Sequence, residues 1–271
     1  MRFCALAFLA FVAGCLTSGT KAEPPFQVYA LKYAESEYPA NLVNSRKAAG
    51  KVYMHWLAYL IKSRDGALTL VDCGFSDPGL VKRFRLRNFK PIVEILHDLG
   101  IAPREVQRIV LTHTHFDHAL DVDLFSAAGV YVHESEAVNP EEQSLATKFA
   151  ALSGQNRLHR VGHRIQVAEG LEAVHIGGHT RGSLIVRTTG LAKQLIFTGD
   201  ECYFAAECFA GVALPSAAAF DRAKNQAFVR SLPADSTMLT NNEPHRSSGR
   251  WYDAEIFLLD TLMWCLWVAM N

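Results

Sequence analysis

Apolar and polar positions along the chain alternate with two periods, and the changes of period mark out its elements. In "WLAYLIKSRDGALTLVDCG" (56–74), two apolar strand-like runs flank the turn signal "SRDG", which predicts a hairpin. "FKPIVEILHDLG" (89–100) switches to helical spacing: Ile92, Ile95, Leu96 and Leu99 share a face, Pro91 suits the first turn and Gly100 the end. "VQRIVLT" (106–112) and "GVYVHES" (129–135) read as buried strands, and "LEAVHIGG" (171–178), "GSLIVRTTG" (182–190) and "KQLIFTGD" (193–200) as three more. "AAAFDRAKNQAFVRSL" (217–232) is predicted helical up to Pro233, with a last strand in "STMLTNN" (236–242). Strands interrupted by helices at this density predict two sheets sandwiched between helices.

Both ends of the chain break this rhythm. Arg2 precedes the apolar run "FCALAFLAFVAG", of a length that suits an export signal and is too short to span a bilayer. Cleavage after Ala22 would remove residues 1–22. Alternatively, "VAGC" (Val12 to Cys15) resembles the lipobox of bacterial lipoproteins, which would end the signal at residue 14 and anchor the chain through a lipid on Cys15. Either route gives an exported protein: periplasmic, secreted or membrane-anchored. No repeat or Pro/Gly/Ser-rich linker follows, so residues 23–271 are predicted to form a single domain. The tail "IFLLDTLMWCLWVAM" (256–270) is very apolar, but Asp260 interrupts it, and a terminal helix packed on the domain is expected rather than a membrane span.

Composition changes little. Of 271 residues 49% are hydrophobic, and 27 Lys and Arg balance 27 Asp and Glu. Loss of Arg2 and Lys21 with the leader leaves 25 basic against 27 acidic residues. That charge gives no basic field for nucleic acid and favours a small-molecule partner. Four cysteines remain beyond the leader: Cys73, Cys202, Cys208 and Cys265. Cys202 and Cys208 could pair in an oxidising compartment, or all four could be buried thiols.

The chemistry is concentrated in "VLTHTHFDHALD" (110–121). Its six residues from His113 to His118 hold three histidines and an aspartate, directly after a predicted strand. If strand geometry runs on, His113 and His115 lie on one side and can grip one ion. When the chain then turns, Asp117 and His118 reach toward a second point. Neither set is complete, so further ligands are needed from other strand ends. His179 in "GGHTRGS", Asp200 in "FTGD" and His245 in "TNNEPH" stand at such ends. Singly, each reads as readily as a cap or an exposed residue.

Together, "HTHFDH", "GGHTRGS", "FTGD" and the later histidine resemble the metallo-β-lactamase superfamily over roughly residues 50–245. The resemblance implies an α+β fold of αββα type, two mixed sheets between helices, with a two-metal site on one edge. It further implies that His113, His115 and His179 hold one divalent ion, Asp117, His118 and His245 a second, and that Asp200 bridges them. Zinc is the expected metal, with manganese, iron or cobalt as substitutes. Asp72 in "LVDCG" matches a supporting aspartate that is not itself a ligand. Two cations sharing a carboxylate would lower the pKa of a trapped water and polarise a carbonyl or phosphoryl oxygen, which implies a hydrolase.

Within the superfamily, Asp200 argues against the β-lactamases, which lack the bridging aspartate, and His115 against flavodiiron-type members. With 26 residues after His245 there is little room for the glutathione-binding region of glyoxalase II. The pattern is most similar to the N-acyl homoserine lactone lactonases, on Phe116 within the motif and on Tyr203, three residues after Asp200, as a hydrogen-bond donor to substrate. Asp117 or a bound water would then deliver a proton to the leaving ring oxygen. Ala119, Leu120 and Asp121 replace the family's usual small residues, so the pocket mouth could differ, and Arg181 stands where proline is usual, which could be neutral or add a cation near the entrance. The competing substrates are a thioester, a phosphoester or another lactone, and a one-iron oxygen-consuming member is a further alternative.

Overall fold

The structure, a computed structural model, describes residues 26–243, 251–252 and 256–259. The leader with Cys15, His245, Cys265 and the chain beyond Leu259 lie outside the described residues.

The first sheet contains β1 (Phe26–Pro39), β2 (Lys51–Ser63), β3 (Leu68–Val71), β4 (Val106–Val110), β5 (Gly129–His133) and β6 (Leu158–Val161). The second contains β7 (Arg164–Ala168), β8 (Leu171–His175), β9 (Leu184–Thr188), β10 (Leu195–Phe197) and β11 (Thr237–Leu239). Two late strands, β12 (Trp251–Tyr252) and β13 (Ile256–Leu259), return to the first sheet, whose order is β12-β13-β1-β2-β3-β4-β5-β6; the second runs β11-β10-β9-β8-β7. Both sheets are mixed. Strands β3 to β6 pair in parallel and β1 to β3 antiparallel, while β10 and β11 form the parallel pair of the second sheet.

Alternation along the strands explains the layers. Tyr59 and Ile61 of β2, with Val71 and Val110, face the second sheet and pack on Leu171, Val186 and Phe197. Ala58 and Leu60 point the other way, joining Leu70, Ile109 and Val130 beneath helices Ile92–Asp98 and Leu145–Gly154. The outer face of the second sheet, through Ile185, Ile196 and Met238, is covered by Phe228 and Val229 of helix Arg222–Ser231. The result is the expected αββα sandwich. Each fully buried Leu, Ile or Val adds about 1.5–3 kcal/mol, so these layers supply most of the drive to fold.

The hairpin at "SRDG" and the strands read from the apolar runs all form. Strand β1 was not legible, because a bulge between Lys32 and Ala34 breaks its alternation and buries Tyr33 and Ala34 consecutively. The helix expected over 217–232 begins only at Arg222, where the Asp221 carboxylate accepts from the backbone N–H groups of Ala223 and Lys224 at 3.0 and 3.1 Å. The tail departs from expectation at its start: Ile256–Leu259 is a strand, not a helix, and pairs antiparallel with Val28–Leu31. Two β-favouring residues, Ile256 and Phe257, begin an apolar run there that meets the edge of β1, whose backbone groups need partners. Cys202 and Cys208 form a disulfide, and Cys73 is a buried free thiol. Among the described residues, no helix is long and apolar enough to cross a membrane.

Candidate metal centre

The strand ends that matter meet on one edge of the sandwich. Thr112, just past β4, links the two sheets: its carbonyl accepts from Leu184 N of β9 at 2.7 Å. His115 leaves the strand in extended conformation, and Phe116–Ala119 then coils into one helical turn, which separates the directions of His113 and His115 from those of Asp117 and His118.

One group forms where His113 Nε2 lies 2.9 Å and His179 Nε2 3.1 Å from His115 Nδ1. Asp200 Oδ2 approaches them, 3.5 Å from His179 Nε2 and 4.0 Å from His113 Nε2. Ligand atoms of His113, His115, His179 and Asp200 all lie within 4.8 Å of one another. A second group faces the other oxygen: His118 Nε2 is 3.3 Å from Asp200 Oδ1 and 3.4 Å from Asp117 Oδ2. Asp200 thus turns one oxygen to each group. His245 is outside the described residues.

The outer hydrogen bonds fix which nitrogens are bare. His179 Nδ1 faces the Ala218 carbonyl at 2.7 Å; a carbonyl only accepts, so the proton sits on Nδ1 and Nε2 keeps its lone pair. The Thr112 hydroxyl donates to Asp72 Oδ2 at 2.9 Å and can therefore accept from His113 Nδ1 at 3.2 Å, which frees His113 Nε2. His118 Nδ1 donates to Asp72 Oδ2 at 2.8 Å, leaving its Nε2 aimed at two carboxylates. Bare nitrogens crowded this closely repel unless a proton or a cation lies between them. Asp200 Oδ1, buried, meets no donor in hydrogen-bond geometry. These observations fit divalent cations, and an N/O donor set suits zinc.

Electrostatics agree. Burial, then the neighbouring His118, His115 and His179, push His113 well down, while burial and His179 lower His115 to about 4, so both rings are neutral at pH 7. At His118 burial opposes the charge, but Asp117, Asp72 and Asp200 outweigh it and push the ring well up. Burial also opposes the Asp200 carboxylate, and His118 with His179 and His115 holds it well below the usual range.

Asp72 supports this arrangement as expected. Its Oδ1 accepts from Thr112 N at 2.7 Å, and its Oδ2 from Thr112 Oγ1, His118 Nδ1 and Asn241 Nδ2, the last at 3.0 Å. Two buried glutamates do comparable work and were not identified from sequence. Glu201 accepts from the backbone N–H of Gly178 at 2.8 Å and of His179 at 2.9 Å, and from Asn225 Nδ2 at 2.7 Å. A side chain at Gly178 would strike this carboxylate and come within 2.9 Å of Asn225 Cα, so the loop holding His179 needs glycine there. Glu136 accepts from the hydroxyls of Thr114 and Thr180, tying the two histidine loops together. In sequence, "GDE" offers one hint: a second acid beside Asp200 at a buried strand end. Glu136 in "HESE" reads only as a first-turn helix acid.

A cavity of about 280 Å³ opens over the site. Tyr203, 8% exposed, lines it with its ring against Val43, Met54 and Leu214 and edge-on to His179 at 6.2 Å. Burial with Asp200, Tyr38 and Asp117 nearby raises its phenol well above the usual value, so it stays a proton donor. Phe116 stacks on Phe84 at 4.7 Å and forms an apolar wall. The three residues after the motif do not line the cavity: Ala119 and Leu120 pack with the core and Asp121 accepts from Ser76 Oγ at 3.0 Å. Arg181 lies over the Phe220 ring at 5.0 Å and is not a lining residue either.

No curated protein sequence matches the chain. Among solved structures, a variant of B. thuringiensis AiiA with N-decanoyl-L-homoserine bound at its active site superposes with a TM-score of 0.63 at 19% identity, covering 75% of this chain and 86% of that one. AidC, a dizinc quorum-quenching lactonase in complex with its product, gives 0.59 at 14% identity over 86% and 94% of the two chains. The hydrolase AbOPH gives 0.63 at 18% identity over 87% and 94%. At these identities the likeness is one of fold. The family model "Metallo-beta-lactamase superfamily" matches residues 57–212, more than half of the chain and the span that carries His113 to Asp200, and the chain belongs to that superfamily.

Proposed function

We propose that this protein is a dinuclear metal-dependent hydrolase that opens the lactone ring of N-acyl homoserine lactones, a quorum-quenching reaction. The observation that carries the two-metal reading is Asp200, whose Oδ2 faces the His113, His115 and His179 group while its Oδ1 faces His118 and Asp117. The lactone reading is supported by Tyr203 beside Asp200, by the apolar wall at Phe116, and by the fold shared with N-acyl homoserine lactone lactonases.

His113, His115, His179 and Asp200 would hold one ion; Asp200, Asp117, His118 and His245 would hold the other. Ions bound there would lower the pKa of a trapped water and polarise a carbonyl oxygen. The chain's own residues do the rest. Tyr203, held protonated, donates a hydrogen bond to the ring carbonyl oxygen as it gains charge. As the water oxygen bonds to the ring carbonyl carbon, Asp117, whose backbone carbonyl is pinned by the Tyr33 hydroxyl at 2.8 Å, takes up the water's proton and passes it to the ring oxygen as the ring C–O bond breaks. The Phe84 and Phe116 wall keeps water off the acyl chain.

The chain is further proposed to be exported, by cleavage of its leader or with a lipid anchor on Cys15, and to act on a small molecule rather than nucleic acid. The Cys202–Cys208 disulfide supports an oxidising compartment.

Acid release from N-hexanoyl homoserine lactone, followed in a pH-stat with wild type and Tyr203→Phe at equal metal content, tests the reaction. Wild type should open the ring, and the variant should lose about 10- to 100-fold in kcat. A wild type that spares the lactone but cleaves a thioester or phosphodiester would overturn the lactone reading, and an unchanged variant would remove Tyr203 from catalysis.

A further inference from the structure

The cavity holds two polar side chains that the reaction just described does not use. Tyr38 stands at the end of β1, opposite Val52 of β2, and its half-buried ring packs against the cluster that contains Tyr203, Val43, Met54 and Leu214. Its hydroxyl makes no hydrogen bond among the described residues. A phenol keeps its proton at neutral pH and offers a donor. Asn242 follows β11 on the loop past the second sheet and is 6% exposed. Its main chain is anchored, the carbonyl accepting from His55 N at 3.1 Å. Its carboxamide is not: Oδ1 is buried and meets no donor, and no hydrogen bond uses Nδ2 among the described residues.

Buried carboxamides are normally satisfied, and one left unspent in a cavity wall costs stability unless a ligand repays it. Neighbouring Asn241 shares the unpartnered Oδ1 and differs in its Nδ2. Its Nδ2 donates to Asp72 and to the Leu57 carbonyl, which is a structural use. Both unspent groups line the same cavity as His115, Asp117, His179, Asp200 and Tyr203, with the rest of the wall largely apolar. A phenol donor and a carboxamide in the wall of one cavity match the two polar groups of a secondary amide, which presents one C=O and one N–H. A plain ester or alkyl lactone has nothing for the second partner.

We infer that Tyr38 and Asn242 form an amide clamp that selects N-acylated lactones over lactones without an amide. The inference rests on the lactone reading and adds to it which part of the substrate is recognised away from the reacting carbonyl. A site built to hydrogen-bond a substrate group rejects analogues lacking it, because its own polar atoms are then left unpaired.

The test compares Tyr38→Phe, Asn242→Leu and the double variant with wild type, at equal metal content, on N-hexanoyl homoserine lactone and on γ-decalactone, which has no amide. Each single change should lower kcat/KM for the acyl homoserine lactone about tenfold, mainly through KM, and leave γ-decalactone within about twofold. Equal losses on both substrates, or no loss on either, would overturn the clamp while leaving lactone hydrolysis standing. Wild type that prefers γ-decalactone would do the same. Wild type that opens neither lactone removes both readings together. Asn242→Asp keeps the shape but exchanges a donor for a charge, and it should lose the amide preference while remaining folded by circular dichroism.

Discussion

Replacing Asp200 by alanine should lower lactone opening on the order of a thousandfold and cut the bound metal from two ions per chain to one or fewer. The expectation follows from where its two oxygens point. Oδ2 stands 3.5 Å from His179 Nε2 and Oδ1 3.3 Å from His118 Nε2, so one side chain serves both groups. Among the described residues this is the carboxylate that faces both the His113–His115–His179 set and the Asp117–His118 set, while Thr112 Oγ1 touches only the outer nitrogens of His113 and His118. Removing it also removes the charge that opposes repulsion between the ions. The fold should survive, because Asp200 Oδ1 makes no hydrogen bond that the scaffold needs. Metal analysis and rate measured on the same preparation decide the matter. A variant with wild-type metal content and turnover would mean that Asp200 is not shared between two ions.

Asp72→Ala is expected to have the largest effect on stability, about 3–5 kcal/mol. The carboxylate is 1% exposed and accepts four hydrogen bonds, from Thr112 N, Thr112 Oγ1, His118 Nδ1 and Asn241 Nδ2. Alanine removes the acceptor shared by all four donors, of which Asn241 Nδ2 keeps a second partner in the Leu57 carbonyl. It must also adopt the left-handed backbone of Asp72, at φ +64°, which costs a further ~1 kcal/mol. At roughly 2–4 °C per kcal/mol for a chain of this size, the melting temperature of metal-free protein should fall by about 10 °C or more. His118 loses the partner that fixes its tautomer, so metal affinity should also drop about 10- to 100-fold. Asp72→Asn, which can still accept from Thr112 but must turn an NH2 toward another donor, should fall in between. A melting temperature within about 2 °C of wild type for Asp72→Ala would contradict this account of the hub.

The sequence made the centre of this site legible and its supports only partly so. His113, His115, Asp117 and His118 crowd six positions after an apolar strand, a density that coincidence rarely produces. His179 and Asp200 could be placed because each ends a strand, and strand ends of one sandwich edge converge. Asp72 was legible through the family resemblance, but not its four partners, which sit 40 to 169 residues away. Glu136 and Glu201 were hidden for the same reason. Their donors are backbone amides and hydroxyls of distant loops, and a single glutamate carries no periodic signal. Tyr38 was missed because it belongs to β1, whose bulge at Lys32 and Ala34 erases the alternation that marks a strand. The unusual "ALD" after the histidines pointed to an altered mouth and Arg181 left neutrality open; none of these residues lines the cavity. Cys202 and Cys208 left pairing open at sequence level, and only the turn that brings their Cα atoms to 6.2 Å decides it.

The most direct test of a two-metal lactone hydrolase is a titration. Protein stripped with a chelator and dialysed is given zinc in fractions of an equivalent, with opening of N-hexanoyl homoserine lactone read at each step. The account predicts negligible activity without metal and a plateau reached at two zinc ions per chain. Full activity in the stripped protein, or a plateau at one ion, would contradict it.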